Sequence, residues 1–198
     1  MTEFDRGKNS NRSKSGFTII EVVLVLAIGG LIFLMVFIAL PALQQSQRNT
    51  QRREDMSRVM TAIVAYQKNN HGKIPLSTTG KYDTNFVNRY LDSNCEYAGK
   101  DNGSNAAHGA YKYNNCSEAF TDPDGEAYMI AHLQTRNDHG DRDISGWIRK
   151  HYIYIAPQTK CVNNNGNYRL LTNGGKNNFS LYYLLEGGAI YCADNSDA

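Results

Sequence analysis

Residues 14–43 read KSGFTIIEVVLVLAIGGLIFLMVFIALPAL, an apolar run long enough to span a bilayer, and one carboxylate, Glu21, sits at its mouth. A charge there is costly in hydrocarbon unless it is paired, so its partner is a functional question. A cut between Gly16 and Phe17 would supply one. The new α-amino group would lie one helical turn from Glu21, on the same face.

Lys14-Ser15-Gly16 followed by Phe17-Thr18-Ile19-Ile20-Glu21 and the apolar stretch resembles the prepilin signature of type IV pilins and their secretion and competence relatives. The resemblance covers residues 14–75. It implies that a membrane peptidase and methyltransferase cuts after Gly16 on the cytoplasmic side and methylates Phe17. It also implies that Glu21 neutralises the amino group of a neighbouring subunit during assembly. The remaining residues are variable among such proteins and have to be read on their own.

The chain has 198 residues, 41% of them apolar, which allows one domain and one anchor. Its net charge of +2 lies wholly in residues 1–16, where Arg6, Lys8, Arg12 and Lys14 face Glu3 and Asp5. The cut product is neutral. That suits a subunit packed at high density and argues against a dedicated nucleic-acid binder. The basic leader also favours a cytoplasmic N-terminus, although Arg48, Arg52, Arg53 and Arg58 beyond the span oppose it. An ordinary secretory signal would need a small-x-small cleavage site after the span, and Ala39-Leu40-Pro41-Ala42 supplies no Ala-x-Ala.

One long helix is expected from residue 17 to about residue 70, apolar all round in its first half. In its second half Met56, Val59, Met60, Ile63 and Val64 form a stripe that should bury against a head. Gly72 and Pro75 mark its end. Gly29 and Gly30 lack side-chain restraint and Pro41 removes one backbone bond, so a local kink or melt is expected there. The resemblance implies helix softening in the filament, though many relatives carry the proline at the position of Ile38.

The expected organisation is a leader at 1–16, an apolar membrane and filament-core helix at 17–43, an amphipathic half at 44–72 and an exported head at 73–198. Residues 76–125 read as loop-rich, with a short helix at 83–92. Strands are expected at 126–134, 147–156, 178–186 and 189–193, with Gly187-Gly188 as a tight connection and an edge piece at 168–172. The fold class is α+β, a long N-terminal helix with an antiparallel sheet packed on its amphipathic half. Tyr152, Tyr154, Tyr182, Tyr183 and Tyr191 suit core or interface packing better than a ligand platform. Asp122-Pro123-Asp124-Gly125 reads as a turn.

Cys95, Cys116, Cys161 and Cys192 lie beyond the span, where an exported head meets an oxidising compartment. Four cysteines allow three pairings; proximity suggests Cys95 with Cys116 and Cys161 with Cys192. The second pair resembles the C-terminal staple of many pilins. Zinc is the rival reading, but no Cys-x-x-Cys pair or matched histidine spacing supports it. Asp138, His139, Asp141 and Asp143 are a calcium candidate in the style of major pseudopilins, yet the loop lacks EF-hand spacing and a solvated hairpin tip explains it more simply. No other cofactor is expected. No Gly-x-Ser-x-Gly, phosphate loop or other catalytic constellation is present in the sequence.

The best reading is a non-enzymatic pilus subunit. Its partners are further copies of itself, the prepilin peptidase and methyltransferase, an assembly platform, and the cytoplasmic membrane before export. Alternatives are a minor pilin or pseudopilin of a secretion or DNA-uptake system, or a single-span surface binding protein that never polymerises.

Overall fold

The computed structural model describes residues 16–76, 82–101, 110–117, 120–133, 142–143, 146, 148–164, 167–171 and 174–196. Two units divide between Gln44 and Gln45. Helix α1 (Ile19–Asn69) contributes to both, and its turns are unbroken through Gly29, Gly30 and Pro41.

In the first unit the described residues are almost all exposed, and the apolar part of α1 is long enough to cross a membrane by length and composition. An apolar surface on every side of a helix needs lipid or protein around it.

The second unit forms around the later turns of α1. Arg52, Asp55, Met56, Val59, Ala62, Ile63 and Gln67 are buried, at the three- and four-residue spacings of one helical face. The stripe read from the sequence is on that face, with Met56, Val59 and Ile63 buried and Met60 and Val64 half-buried, but it also carries two charges. The helix stops because Gly72 takes a positive φ of 79° and donates its N–H to the Gln67 carbonyl at 2.8 Å. A side chain on Gly72 would meet the Asn177 amide at 3.1 Å.

Beyond α1, the described residues form α2 (Phe86–Tyr90) and nine strands. They are β1 (Glu96–Asp101), β2 (Ala110–Asn114), β3 (Met129–His132), β4 (Arg142–Asp143), β5 (Tyr152–Pro157), β6 (Lys160–Asn164), β7 (Asn167–Leu171), β8 (Phe179–Leu184) and β9 (Ile190–Asp194). A six-stranded sheet runs β1-β2-β3-β5-β8-β9, and a three-stranded sheet runs β4-β7-β6.

Both faces of the large sheet are covered, and alternate residues divide between two cores. Ile153 and Ile155 of β5 and Phe179, Leu181 and Tyr183 of β8 join the core that includes Met56, Val59 and Ile63 of α1. Tyr154, Ala156 and Tyr182 join the opposite core. Each fully buried large side chain contributes about 1.5–3 kcal/mol. Burial of Tyr154, Tyr182 and Tyr183 agrees with the packing role assigned to the tyrosines.

Four features differ from the sequence reading, the first being that β4 and β6 lie where no strand was expected. The region read as loops contains the β1–β2 hairpin, bulged at Gly99, where φ is 127°. The large sheet is mixed, because β3 pairs parallel with β5, Met129 opposite Tyr152. The edge piece at 168–172 corresponds to β7, which pairs with β6 and β4 in a separate sheet.

Candidate processing and assembly site

Gly16, Phe17 and Thr18 precede the first helical turn. Phe17 is 88% exposed, and an added Cβ on Gly16 would touch nothing within 4 Å. Among the described residues the peptide bond between them is therefore non-helical and uncovered, the state a protease needs.

Thr18 caps α1. Its N–H and its hydroxyl both donate to Glu21 Oε2, at 3.1 and 3.0 Å, and the Glu21 N–H donates back to Thr18 Oγ1 at 3.4 Å. This is a reciprocal capping box, with a threonine at the N-cap and a glutamate three residues later. The positive end of the helix dipole also favours an anion there. Glu21 thus points back toward the chain start, and a cut at Phe17 would create an ammonium one residue from the N–H that Glu21 already accepts. Thr18 had no role assigned from the sequence, although its spacing from Glu21 is a capping signature.

A second polar construction lies within the Gln45–Ala198 unit. Arg52 is buried and reaches two turns of the fold. Its guanidinium donates to Asp122 in the Asp122-Pro123-Asp124-Gly125 turn at 2.7 and 2.8 Å, and to Glu186 before the Gly187-Gly188 turn at 2.8 Å. Asp122 also accepts from the Tyr183 hydroxyl and from the Asp124 N–H. Glu186 also takes two bonds from Arg48, at 2.7 and 2.8 Å. The Asn49 amide completes the clamp, accepting from the Glu186 N–H at 3.0 Å and donating to its carbonyl at 3.3 Å. One turn further along α1, Asp55 accepts from Tyr128 at 2.7 Å and from Arg58.

Burial alone would raise the Asp122 carboxyl, but the Arg52 and Tyr183 hydrogen bonds outweigh it and hold the group below the usual carboxylate range. Arg48 and then Arg52 lower Glu186 to about 2. Burial first, then Asp55, pushes the Tyr128 hydroxyl up. The network is a fixed set of charges, each satisfied by several partners, and it locks two turns against α1.

Cys95 is joined to Cys116 across the base of the β1–β2 hairpin, with the Cα atoms 4.2 Å apart. Cys161 in β6 is joined to Cys192 in β9, Cα atoms 5.9 Å apart, which ties the small sheet to the edge of the large one. The calcium candidates Asp138 and Asp141, with His139, lie outside the described residues; Asp143 lies in β4, where only the backbone is described. Asp122, Asp124 and His151 bring donor atoms within 4.8 Å of one another. Asp122 is already committed to Arg52, and that guanidinium, 3.9 Å from Asp124, opposes a metal cation there.

A Gly-Phe junction outside the helix, a threonine cap holding a glutamate, and a helix apolar on every side thus follow one another in residues 16–43. Residues 11–37 match the family model described as the prokaryotic N-terminal methylation motif. Over this segment the chain is type IV pilin-like, and the motif implies processing by a prepilin peptidase and assembly into pilus-like polymers. Together with the apolar part of α1 it fits anchoring in a membrane before assembly. No curated protein and no solved structure matches the chain.

Proposed function

We propose that this chain is a structural subunit of a type IV pilus. Residues 1–16 are its cytoplasmic leader. Prepilin peptidase removes them after Gly16 and methylates Phe17, and the mature chain leaves the membrane through an assembly platform to join a helical homopolymer. Residues 17–43 then exchange lipid for the filament core, and the head faces the extracellular side. The subunit is not an enzyme.

The observation that carries this reading is Glu21. It is the sole charge between Phe17 and Arg48, and the Thr18 cap directs its carboxylate toward the chain start. A lone anion in an apolar helix is explained by a cation arriving from another subunit, because each buried charge needs the other. Softening at Gly29, Gly30 and Pro41 belongs to the same proposal; it would let neighbouring helices pack and the filament stretch.

The test is Glu21→Gln expressed as the only copy. A glutamine is easier to hold in lipid than a glutamate, so the variant should insert, be cut after Gly16 and fold. It should make few or no filaments by electron microscopy, since the incoming Phe17 ammonium would be buried without a partner, at a cost of about 3–5 kcal/mol. Normal filament numbers from the cut variant would contradict the pairing.

A further inference from the structure

The C-terminal end of α1 borders a cavity of about 750 Å³, within the range of small-molecule sites and remote in sequence from the capping box. Its wall contains three residues in the left-handed backbone region: His71 at φ 56°, Gly72 at 79° and Gln158 at 57°. Non-glycine residues seldom adopt this conformation, and it persists only where the surroundings hold it.

Here they do. The Gln158 N–H donates to the Asn178 carbonyl at 2.7 Å, and the Gln158 carbonyl accepts from Gly174 at 3.1 Å. Gly174 approaches so closely that a Cβ would stand 2.6 Å from the Gln158 carbonyl carbon. The Asn177 backbone is pinned in the same way, its carbonyl accepting from Gln67 at 2.7 Å and from Asn195 at 3.0 Å.

These backbones present Gln158 and Asn177, and His71 stands at the end of α1 on the same cavity; all three residues are exposed, and their side chains form no hydrogen bond among the described residues. Lys73 and Lys176 line the same cavity, also without an ion-pair partner among the described residues. Asp83 lines the cavity too and is occupied by the Tyr66 hydroxyl and the Asn85 N–H. Tyr66 and Pro157 supply apolar wall. Two amides and an imidazole offer both donors and acceptors, as vicinal hydroxyls require, and two ammonium groups suit a carboxylate.

We infer that this cavity binds a carboxylated sugar, a uronic-acid residue of an acidic glycan. A nucleic-acid strand would call for a track of cations with free aromatic faces, which two lysines and one aspartate do not supply. The inference does not depend on polymerisation.

The experiment titrates the full chain in detergent with trigalacturonate, maltotriose or a single-stranded oligonucleotide, using calorimetry and ligand-observed NMR. Saturable binding of trigalacturonate is expected, with maltotriose weaker by about tenfold or more. The exposed pair Lys73→Ala with Lys176→Ala should weaken trigalacturonate about tenfold with unchanged thermal unfolding, and Asn177→Ala should weaken both sugars. Should the double alanine variant unfold, Lys73→Gln with Lys176→Gln carries the same expectation. Absence of saturable binding, equal affinity in a folded lysine variant, or tighter binding of the oligonucleotide would each overturn the assignment.

Discussion

The Arg52 guanidinium holds the Asp122 carboxylate at two points, Nε to Oδ2 at 2.8 Å and Nη2 to Oδ1 at 2.7 Å, with both side chains buried. Removing one member strands the other in a low-dielectric interior. Arg52→Ala is therefore expected to destabilise the second unit by about 3–5 kcal/mol in denaturant unfolding of the full chain. Replacing the pair together, as Arg52→Met with Asp122→Leu, should cost less than Arg52→Ala alone. Additive losses would show that the two charges do not act as a pair.

Acid should weaken the same clamp. Glu186 is lowered from 4.5 to about 2 by Arg48 and Arg52, and Asp122 is also lowered. A depressed carboxylate stabilises the fold fully above its unfolded value, and that contribution is lost as pH falls through the folded one. Unfolding midpoints should thus fall between about pH 4.5 and pH 2, and Glu186→Gln should flatten part of that slope. An identical slope in the variant would remove Glu186 from the explanation.

The Cys161–Cys192 bond joins β6 to β9, whereas Cys95–Cys116 closes a hairpin at the other end of the large sheet. Loss of the first by Cys161→Ser with Cys192→Ser should cost about 2–5 kcal/mol. Hydrogen exchange should quicken in Lys160–Asn164 and Ile190–Asp194 while Met129–His132 keeps its protection. A uniform increase across all strands would mean that the bond supports the whole unit rather than one edge.

At the start of α1, Thr18→Ala removes the hydroxyl that bridges to Glu21 and should weaken the first turn by about 1 kcal/mol. Thr18→Ser keeps the cap. Amide exchange at Glu21 and Val22 in bicelles should rise for the alanine variant and not for serine. Equal exchange in all three would show that the capping box adds nothing to helix order.

The long helix was legible because its signals are local: an apolar run, then a three-and-four spacing, then Gly72. The β1–β2 hairpin was not, since EYAGKD and AYKYN lack a run of β-branched residues and Gly99 breaks their register with a bulge. The parallel β3–β5 pairing depends on a crossover, not on anything either strand displays. The Asp122 turn was read correctly as a turn, since Gly125 donates to the Asp122 carbonyl at 2.8 Å. Its ion pair escaped because Arg52 is 70 residues away. One clue was present. Arg52 and Asp55 fall on the same helical face as Met56 and Val59, and charges within a buried stripe require buried partners.

The most direct measurement of the central claim is the intact mass of protein sheared from the cell surface, with fragmentation to locate the N-terminus. The expected product begins at Phe17, carries one methyl group on its α-amino nitrogen, and retains both disulfides. A surface protein that still contains residues 1–16, or one that begins at Phe17 with an unmodified amine, would contradict it.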